Sequence, residues 1–267
     1  MKTFDVKILA NEEVAANIFR LTIDAPELAE NARAGQFVQV KISDDFTLRR
    51  PLGIASTDGG KVKIFYRLVG RGTETLSRRK AGERLNILGA LGNGFTPRSG
   101  KVLLVGGGMG LAPLLCAAEE IAMRNAQGVM RNEKTCSLSL VPCSSDVLMG
   151  GRNSGEVEFW QAEFRPHVEE IFLTTDDGSI GKYGFVTDAL PDVLAKKNYS
   201  AVLTCGPEIM MRGVAKLAAE KNIPCEVSFE KRMACGLGAC LSCSIDTVNG
   251  RRKVCKDGPI FDAREVF

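Results

Sequence analysis

Cys235, Cys240, Cys243 and Cys255 stand in the spacing C-x4-C-x2-C, followed by eleven residues and a fourth cysteine. Thiolates gathered this way can hold a metal centre. The x4–x2 run with a distant fourth cysteine is the plant-type spacing of a 2Fe-2S cluster, in which each iron takes two thiolates. Gly236, Gly238 and Ala239 lie between the first two cysteines. Residues this small let the backbone wrap closely and aim N–H groups at sulfur. A structural zinc site is the other reading, because Cys240-x2-Cys243 alone would suit one. Zinc sites usually pair two short C-x2-C units, however, and Cys255 has no near neighbour of its kind. A disulfide framework is disfavoured, since nine cysteines is an odd number and 267 residues is long for a stapled scaffold.

Two further stretches could bind anions. In Arg49-Arg50-Pro51-Leu52-Gly53-Ile54-Ala55, an arginine beside a proline-stiffened strand end can present a fixed fork to a phosphate. In Tyr66-Arg67-Leu68-Val69-Gly70-Arg71-Gly72-Thr73, two glycines and a threonine lead into a helix expected over Thr75–Arg79. A helix start with free N–H groups and a hydroxyl nearby suits a phosphate. A surface arginine pair and an ordinary turn would look the same locally. A third stretch, Gly106-Gly107-Gly108-Met109-Gly110, follows the apolar run Lys101–Val105 and precedes Leu111-Ala112-Pro113 and a helix expected to Arg124. Strand, glycine turn and helix in that order place a pyrophosphate on a helix N-terminus. The glycines do not follow G-x-G-x-x-G, so a ligand-free βα turn stays open.

The elements that must carry these stretches fall into three parts. Residues 1–96 read as short strands. Val38, Val40 and Ile42 alternate within Gly35–Ile42, as do Val62, Ile64, Tyr66 and Leu68 within Lys61–Leu68. A further strand is expected within Ala15–Ala25, and Asp58-Gly59-Gly60 marks a turn. This predicts an antiparallel β-barrel. Residues 97–228 read as a doubly wound parallel α/β domain. Strands are expected at Thr135–Val141, Glu170–Thr175 and Tyr199–Cys205, and helices at Phe185–Lys197 and Glu208–Asn222. Ligands in such sheets lie beyond the carboxyl ends of the strands. Cys205-Gly206-Pro207 and Asp176-Asp177-Gly178-Ser179 stand at two such ends. The segment 142–167 is poorly patterned. It contains Trp160, expected to pack, and the only histidine, His167, expected in a core or surface role. After a strand ending at Val141, no arginine occurs before Arg152, which favours NAD over NADP. Residues 229–267 form a small metal-binding domain.

Composition excludes several classes. Hydrophobic residues make up 45% and charged residues 25%, ordinary values for a globular chain. A net charge of +3 is too weak to argue for nucleic acid or an anionic membrane as partner, and neither is expected. No run approaches the length of a membrane span. Met-Lys-Thr-Phe-Asp-Val-Lys lacks the apolar core of a signal peptide, so a cytoplasmic location is expected.

Taken in order, R-P-L-G, Y-R-L-V-G-R-G-T, the bridging Gly89–Phe95, V-G-G-G-M-G-L-A-P, D-D-G-S-I-G, T-C-G-P and M-A-C-G-L-G-A-C-L-S-C form an ordered set. The set resembles the ferredoxin-reductase family of flavoproteins. Within it, the closest resemblance is to the electron-transfer subunits of NAD-dependent, type B dihydroorotate dehydrogenases. The resemblance spans nearly the whole chain. It implies that Arg50, Pro51, Leu52 and Gly53 match the R-P-x-S/T segment that binds FAD. Phe65, Tyr66 and Arg67 match the second FAD strand, and Gly72 and Thr73 the pyrophosphate turn. Gly106, Gly107, Gly108 and Gly110 match the nicotinamide-nucleotide loop, and Cys205, Gly206 and Pro207 the nicotinamide end. Cys235, Cys240, Cys243 and Cys255 match the cluster ligands. Two places depart from the pattern. Gly53 stands where the family commonly has Ser or Thr, and Val141-Pro142-Cys143 stands where it usually reads Gly-Ala-Arg.

The resemblance implies a relay. Nicotinamide moves a hydride, a 2Fe-2S cluster moves one electron at a time, and FAD converts between them, with no acid–base side chain required. An FMN-containing partner subunit would oxidise dihydroorotate, in a heterotetramer of two of each subunit serving pyrimidine biosynthesis. The alternatives are a NAD(P)H-dependent reductase subunit of the same architecture serving a ferredoxin, an oxygenase or a sulfur-reducing partner, and a non-redox nucleotide-binding module with a zinc-stapled tail. Serine at position 235, 240, 243 or 255 is expected to remove the cluster. Serine at 116, 136, 143, 205 or 225 is expected to leave it. Iron and acid-labile sulfide per chain decide this, and unchanged iron in Cys255→Ser would show that the fourth ligand is misassigned.

Overall fold

The computed structural model describes residues 2–127 and 143–267. The chain divides into two compact units, Met1–Phe95 with Ser228–Phe261, and Thr96–Val227 with Asp262–Glu265. The 229–267 segment, expected as a separate part, is thus grouped largely with the β unit.

In the first unit the elements are β1 (Lys2–Ala15), β2 (Ile18–Asp24), α1 (Pro26–Asn31), β3 (Phe37–Lys41), β4 (Arg50–Gly53), β5 (Ser56–Asp58), β6 (Lys61–Arg67), α2 (Arg71–Ser77) and β7 (Arg84–Leu91). The strands form one antiparallel sheet in the order β4-β3-β7-β1-β2-β6-β5. β4 also packs on β6, which curls the sheet towards a barrel. The alternation read from sequence does the work here. Val62 and Ile64 of β6 stand opposite Ile23 and Leu21 of β2, and all four are fully buried. Burying an aliphatic side chain of this size contributes roughly 1.5–3 kcal/mol. β3 behaves differently. Phe37, Val38, Gln39 and Val40 are all buried, so both of its faces are covered. The helix expected from Thr75 starts earlier, at Arg71.

The second unit contains β8 (Gly100–Gly107), α3 (Leu111–Gln127), β9 (Cys143–Gly151), α4 (Ser154–Phe164), β10 (Ile171–Thr175), β11 (Lys182–Tyr183), α5 (Val186–Lys196), β12 (Ala201–Cys205), α6 (Glu208–Glu220) and β13 (Cys225–Ser228). Its strands run β11-β10-β9-β8-β12-β13. The pairings of β8 with β9 and β12, and of β10 with β9 and β11, are parallel. This is the doubly wound sheet expected. The strand expected at Thr135–Val141 lies outside the described residues. The segment 142–167, expected to be irregular, holds β9 and α4 instead. Trp160 and Phe164 of α4 are buried, and His167 lies 3.7 Å from Glu119.

β9 was disguised by its polar start. Ser145 and Asp146 are fully buried in it. Asp146 accepts from Lys197 Nζ and the Tyr199 hydroxyl at 2.9 Å each and from Lys101 Nζ at 3.2 Å. Burial alone would raise its pKa, but these hydrogen bonds outweigh burial and hold the carboxyl below its ordinary value. A depressed folded pKa stabilises the protein above the unfolded value and is lost as pH falls through the folded one. Asp146→Ala should therefore cost about 3 kcal/mol near neutral pH. The gap to wild type should close below the usual carboxylate range, as read by urea midpoints across pH.

Beyond β13 lie the hairpin β14 (Ser244–Thr247) and β15 (Gly250–Lys253) and the short α7 (Val254–Asp257). The Gly89–Phe95 stretch is tied to this segment. Asn93 N donates to Gly258 O at 2.7 Å, Asn93 Nδ2 donates to Ile260 O at 2.8 Å, and Ile260 N donates to Asn93 Oδ1 at 2.9 Å.

Candidate functional site

The two stretches of the first unit expected to bind anions come together in space. A Cβ on Gly72 would lie 2.7 Å from Arg50 Nε, so glycine is what lets the guanidinium rest on the start of α2. Arg50 and Arg71 both lie over the Phe46 ring, at 5.3 and 5.8 Å. Among the described residues neither has a carboxylate partner. Arg49 is different, because its guanidinium is spent on the Gln39 and Asn86 carbonyls at 3.2 and 3.1 Å. The adjacent arginines therefore divide into one that ties strands and one that rests on the start of α2. Thr73 Oγ1 accepts from Val69 N and donates to Gly70 O, both at 3.0 Å, so its O–H shapes the turn and has no proton left for a ligand. Phe65 and Tyr66 are buried. The Tyr66 hydroxyl donates to Asn11 Oδ1 at 2.9 Å, while Asn11 Nδ2 donates to the carbonyls of Leu76 and Arg79. Burial pushes the Tyr66 phenol up to about 12, against the lowering effect of Asn11. Tyr66 thus positions α2 through Asn11 and exposes no polar atom of its own. Arg50 Nη1 donates to the Leu48 carbonyl at 2.7 Å, and two guanidiniums with no carboxylate beside them among the described residues fit a diphosphate-bearing cofactor.

In the second unit the glycine loops converge at the carboxyl ends of the neighbouring strands β8 and β12, where Gly106 pairs with Cys205. A Cβ on Gly110 would come within 2.3 Å of the Cys205 carbonyl oxygen, and one on Gly106 within 2.6 Å of Leu111. Gly206 lies against Gly107, and Pro207 and Met210 cover it. Gly108 has φ +56° and open space where a side chain would be. This bare backbone shelf before α3 suits a nucleotide phosphate.

β9 ends in Gly150-Gly151, followed by Arg152. The Gly-Ala-Arg pattern, read as missing at 141–143, therefore has its counterpart at 150–152. The argument for NAD from a lack of arginine after this strand falls with it. Arg152 is clasped by Glu156, through Nε at 3.0 Å and its backbone N at 3.1 Å. Asn153 Oδ1 caps α4 by accepting from Glu156 N at 3.2 Å, and Ser179 Oγ accepts from Ser154 N at 2.7 Å. The Asp176–Ser179 turn therefore secures this strand end.

The four cysteines form two pairs. Cys240 N donates to Cys235 Sγ at 3.5 Å, Leu237 N donates to the same sulfur at 3.3 Å, and Cys255 N donates to Cys243 Sγ at 3.4 Å. Cys243 and Cys255 are buried, Cys235 is half-buried and Cys240 is exposed. Backbone N–H groups of Cys235 and Ser242 pull the Cys240 thiol down to about 6. Burial, then the Cys243 thiol, pushes Cys255 up to about 12. Among the described residues no three ligand side chains converge on one ion. The grouping two by two is the one in which two irons would take the thiolates. Gly236 and Gly238 have φ +70° and +81°, the left-handed conformations the wrap requires.

Residues 230–267 match the family profile described as the iron-sulfur cluster binding domain of dihydroorotate dehydrogenase B. The chain is 39% identical over 264 residues to the dihydroorotate dehydrogenase B (NAD(+)) electron transfer subunit of Clostridium acetobutylicum, covering 98% of this chain and 96% of that protein. It is 36% identical to the same subunit of Desulforamulus reducens, covering 99% and 98%.

The chain belongs to this family of electron-transfer subunits.

Among solved structures, it matches the NADH-dependent reduced ferredoxin-NADP oxidoreductase with TM-score 0.80 and 27% identity, over 98% of this chain and 89% of that one. A ferredoxin-NADP+ reductase from Plasmodium falciparum, at 13% identity, matches with TM-score 0.62 over 84% and 96%. That likeness carries the ferredoxin-reductase fold. Arg71, Phe46 and Asn11 escaped the reading of the family motifs. Arg71 alone carried a signal, a cation between two glycines.

The glycines separate into two kinds with opposite expected outcomes. Gly110→Ala drives a methyl into the Cys205 backbone and should destabilise the fold by about 1–3 kcal/mol. Gly53 has no atom within 4 Å of its missing Cβ, so Gly53→Ser should leave stability within about 0.5 kcal/mol. Melting temperatures of the two variants check this.

Proposed function

We propose that the chain is the electron-transfer subunit of an NAD-dependent dihydroorotate dehydrogenase. It would carry electrons from an FMN-containing, dihydroorotate-oxidising partner to NAD+ in pyrimidine biosynthesis. The observation that carries this reading is the pairing of the thiols, Cys235 with Cys240 and Cys243 with Cys255, within the segment that matches the cluster-binding family. Bound FAD would exchange a hydride with nicotinamide and single electrons with the 2Fe-2S cluster. The working parts are residues 1–96 for FAD, 97–228 for NAD and 229–267 for the cluster. Arg50 and Arg71 supply charge for the FAD diphosphate beside Gly72 and Thr73. Pro51, Leu52, Gly53, Phe65 and Arg67 line the flavin strands, and Tyr66 holds α2. Gly106, Gly107, Gly108 and Gly110 take the NAD phosphates, with Cys205, Gly206 and Pro207 at the nicotinamide end. No side chain has to move a proton. The complex is a cytoplasmic heterotetramer of two subunits of each kind. Among the described residues no helix is long and apolar enough to cross a membrane.

A second reading is favoured by the likeness to the ferredoxin-NADP oxidoreductase. In it, the same relay serves another acceptor. Mixing the chain with the dihydroorotate-oxidising subunit separates the two. Dihydroorotate-driven NAD+ reduction that needs both chains supports the first reading. NADH bleaching of the chain's flavin with no dihydroorotate-dependent turnover supports the second. A colourless purified protein would sink both and leave zinc. Arg50→Leu removes a charged hydrogen-bond donor, worth ~1.5–3 kcal/mol. It should weaken FAD binding by about tenfold or more, as measured by flavin retention on desalting, without loss of iron.

A further inference from the structure

Gln39, in the middle of β3, is fully buried, and among the described residues neither its Nε2 nor its Oε1 has a hydrogen-bond partner. A carboxamide offers two N–H donors and an acceptor oxygen, and buried amides almost always have partners. The main chain of Gln39 is already engaged. It pairs with Pro51 of β4 and Leu88 of β7, and its carbonyl accepts from Arg49. Its side chain lies under the cluster loop. A Cβ on Gly236 would come within 2.5 Å of Gln39 Nε2 and 2.8 Å of its Cγ. The peptide next to Cys235 therefore rests on the carboxamide. The N–H groups of the loop at Leu237 and Cys240 already point at the Cys235 sulfur. Gln39 brings a donor to the same place from outside the loop, and its neighbour across the sheet, Pro51, has no N–H to compete.

We propose that Gln39 is a positioning residue of the iron-sulfur centre, its carboxamide N–H donating to a sulfur of the bound cluster on the Cys235 side. The proposal rests on the cluster assignment above. A donor to sulfur stabilises the reduced, more negative state and raises the reduction potential. The strand that aligns the flavin segment through Pro51 would thereby also set the potential of the next station.

The test uses the full chain, purified anaerobically with FAD and cluster, as wild type, Gln39→Leu and Gln39→Glu. Glutamate keeps the shape against Gly236 and removes the donor. Iron and sulfide per chain should stay at wild-type level in both variants. Redox titration followed by EPR should show the cluster harder to reduce, by tenfold or more in the reduced-to-oxidised ratio at a fixed potential, about 59 mV for one electron. The flavin titration should not move. In wild type with ¹⁵N in the glutamine side-chain amides, pulsed EPR of the reduced cluster should show a nitrogen coupling that Gln39→Glu lacks. Unchanged cluster potentials in both variants would overturn the proposal, as would a shift confined to FAD. Absence of the ¹⁵N coupling in wild type would overturn it without any variant having to fold. Wild-type protein without iron and sulfide would instead sink the cluster assignment itself.

Discussion

A strand buried on both faces has to be covered twice, and β3 is the strand on which the first unit depends. Val38 and Val40 fill the space between the strands, with Val38 packed against Gly89 of β7. On its other face, Gln39 meets the cluster loop at Gly236. β3 also holds β4 in register, Phe37 opposite Gly53 and Val40 opposite Arg50. One five-residue strand thus sets the height of the arginine that reaches α2 and carries the loop that holds Cys235. Backbone hydrogen bonds make such a register rigid, since a slip of one residue would exchange the two faces.

The second unit works by close approach. Gly110 sits where any side chain would strike the Cys205 carbonyl, and Gly206 where one would strike Gly107. The loops after β8 and β12 are therefore pressed together at the main chain, leaving peptide groups in place of side chains on the shelf before α3. The carboxyl end of β9 is secured by other means. Arg152, Glu156, Asn153 and Ser179 bond to one another and to the start of α4.

Much of this was legible because it is local. The cysteine spacing, the glycine run after a buried strand, and the alternation in β6 each express a geometry that neighbouring residues must share. The misread parts involve distant partners. β9 opens with Ser144, Ser145 and Asp146, which read as loop. Asp146 is tolerated inside because Lys101, Lys197 and Tyr199 arrive from other strands and loops to bond it. α2 begins at Arg71, ahead of its expected start, because Gly72 is there to admit Arg50 and marks no turn. Gln39 is the polar residue between Val38 and Val40 of an alternating strand. Nothing nearby in sequence says that the chain returns some two hundred residues later to cover it.

That return has a consequence for how the protein is made. The loop after β7 is clasped by the last part of the chain, through Asn93 with Gly258 and Ile260, and Gly35 is closed over by Ile260 and Phe95. A ribosome delivers Met1–Phe95 first, then Thr96–Val227 of the second unit, and only then Ser228–Phe261, which finishes the first unit. During that interval the nascent barrel keeps an apolar flank and an uncovered amide in water, the kind of surface that draws chaperones. The four cysteines of the cluster-binding segment arrive with that same closing stretch, so an iron-sulfur centre on them cannot form before it.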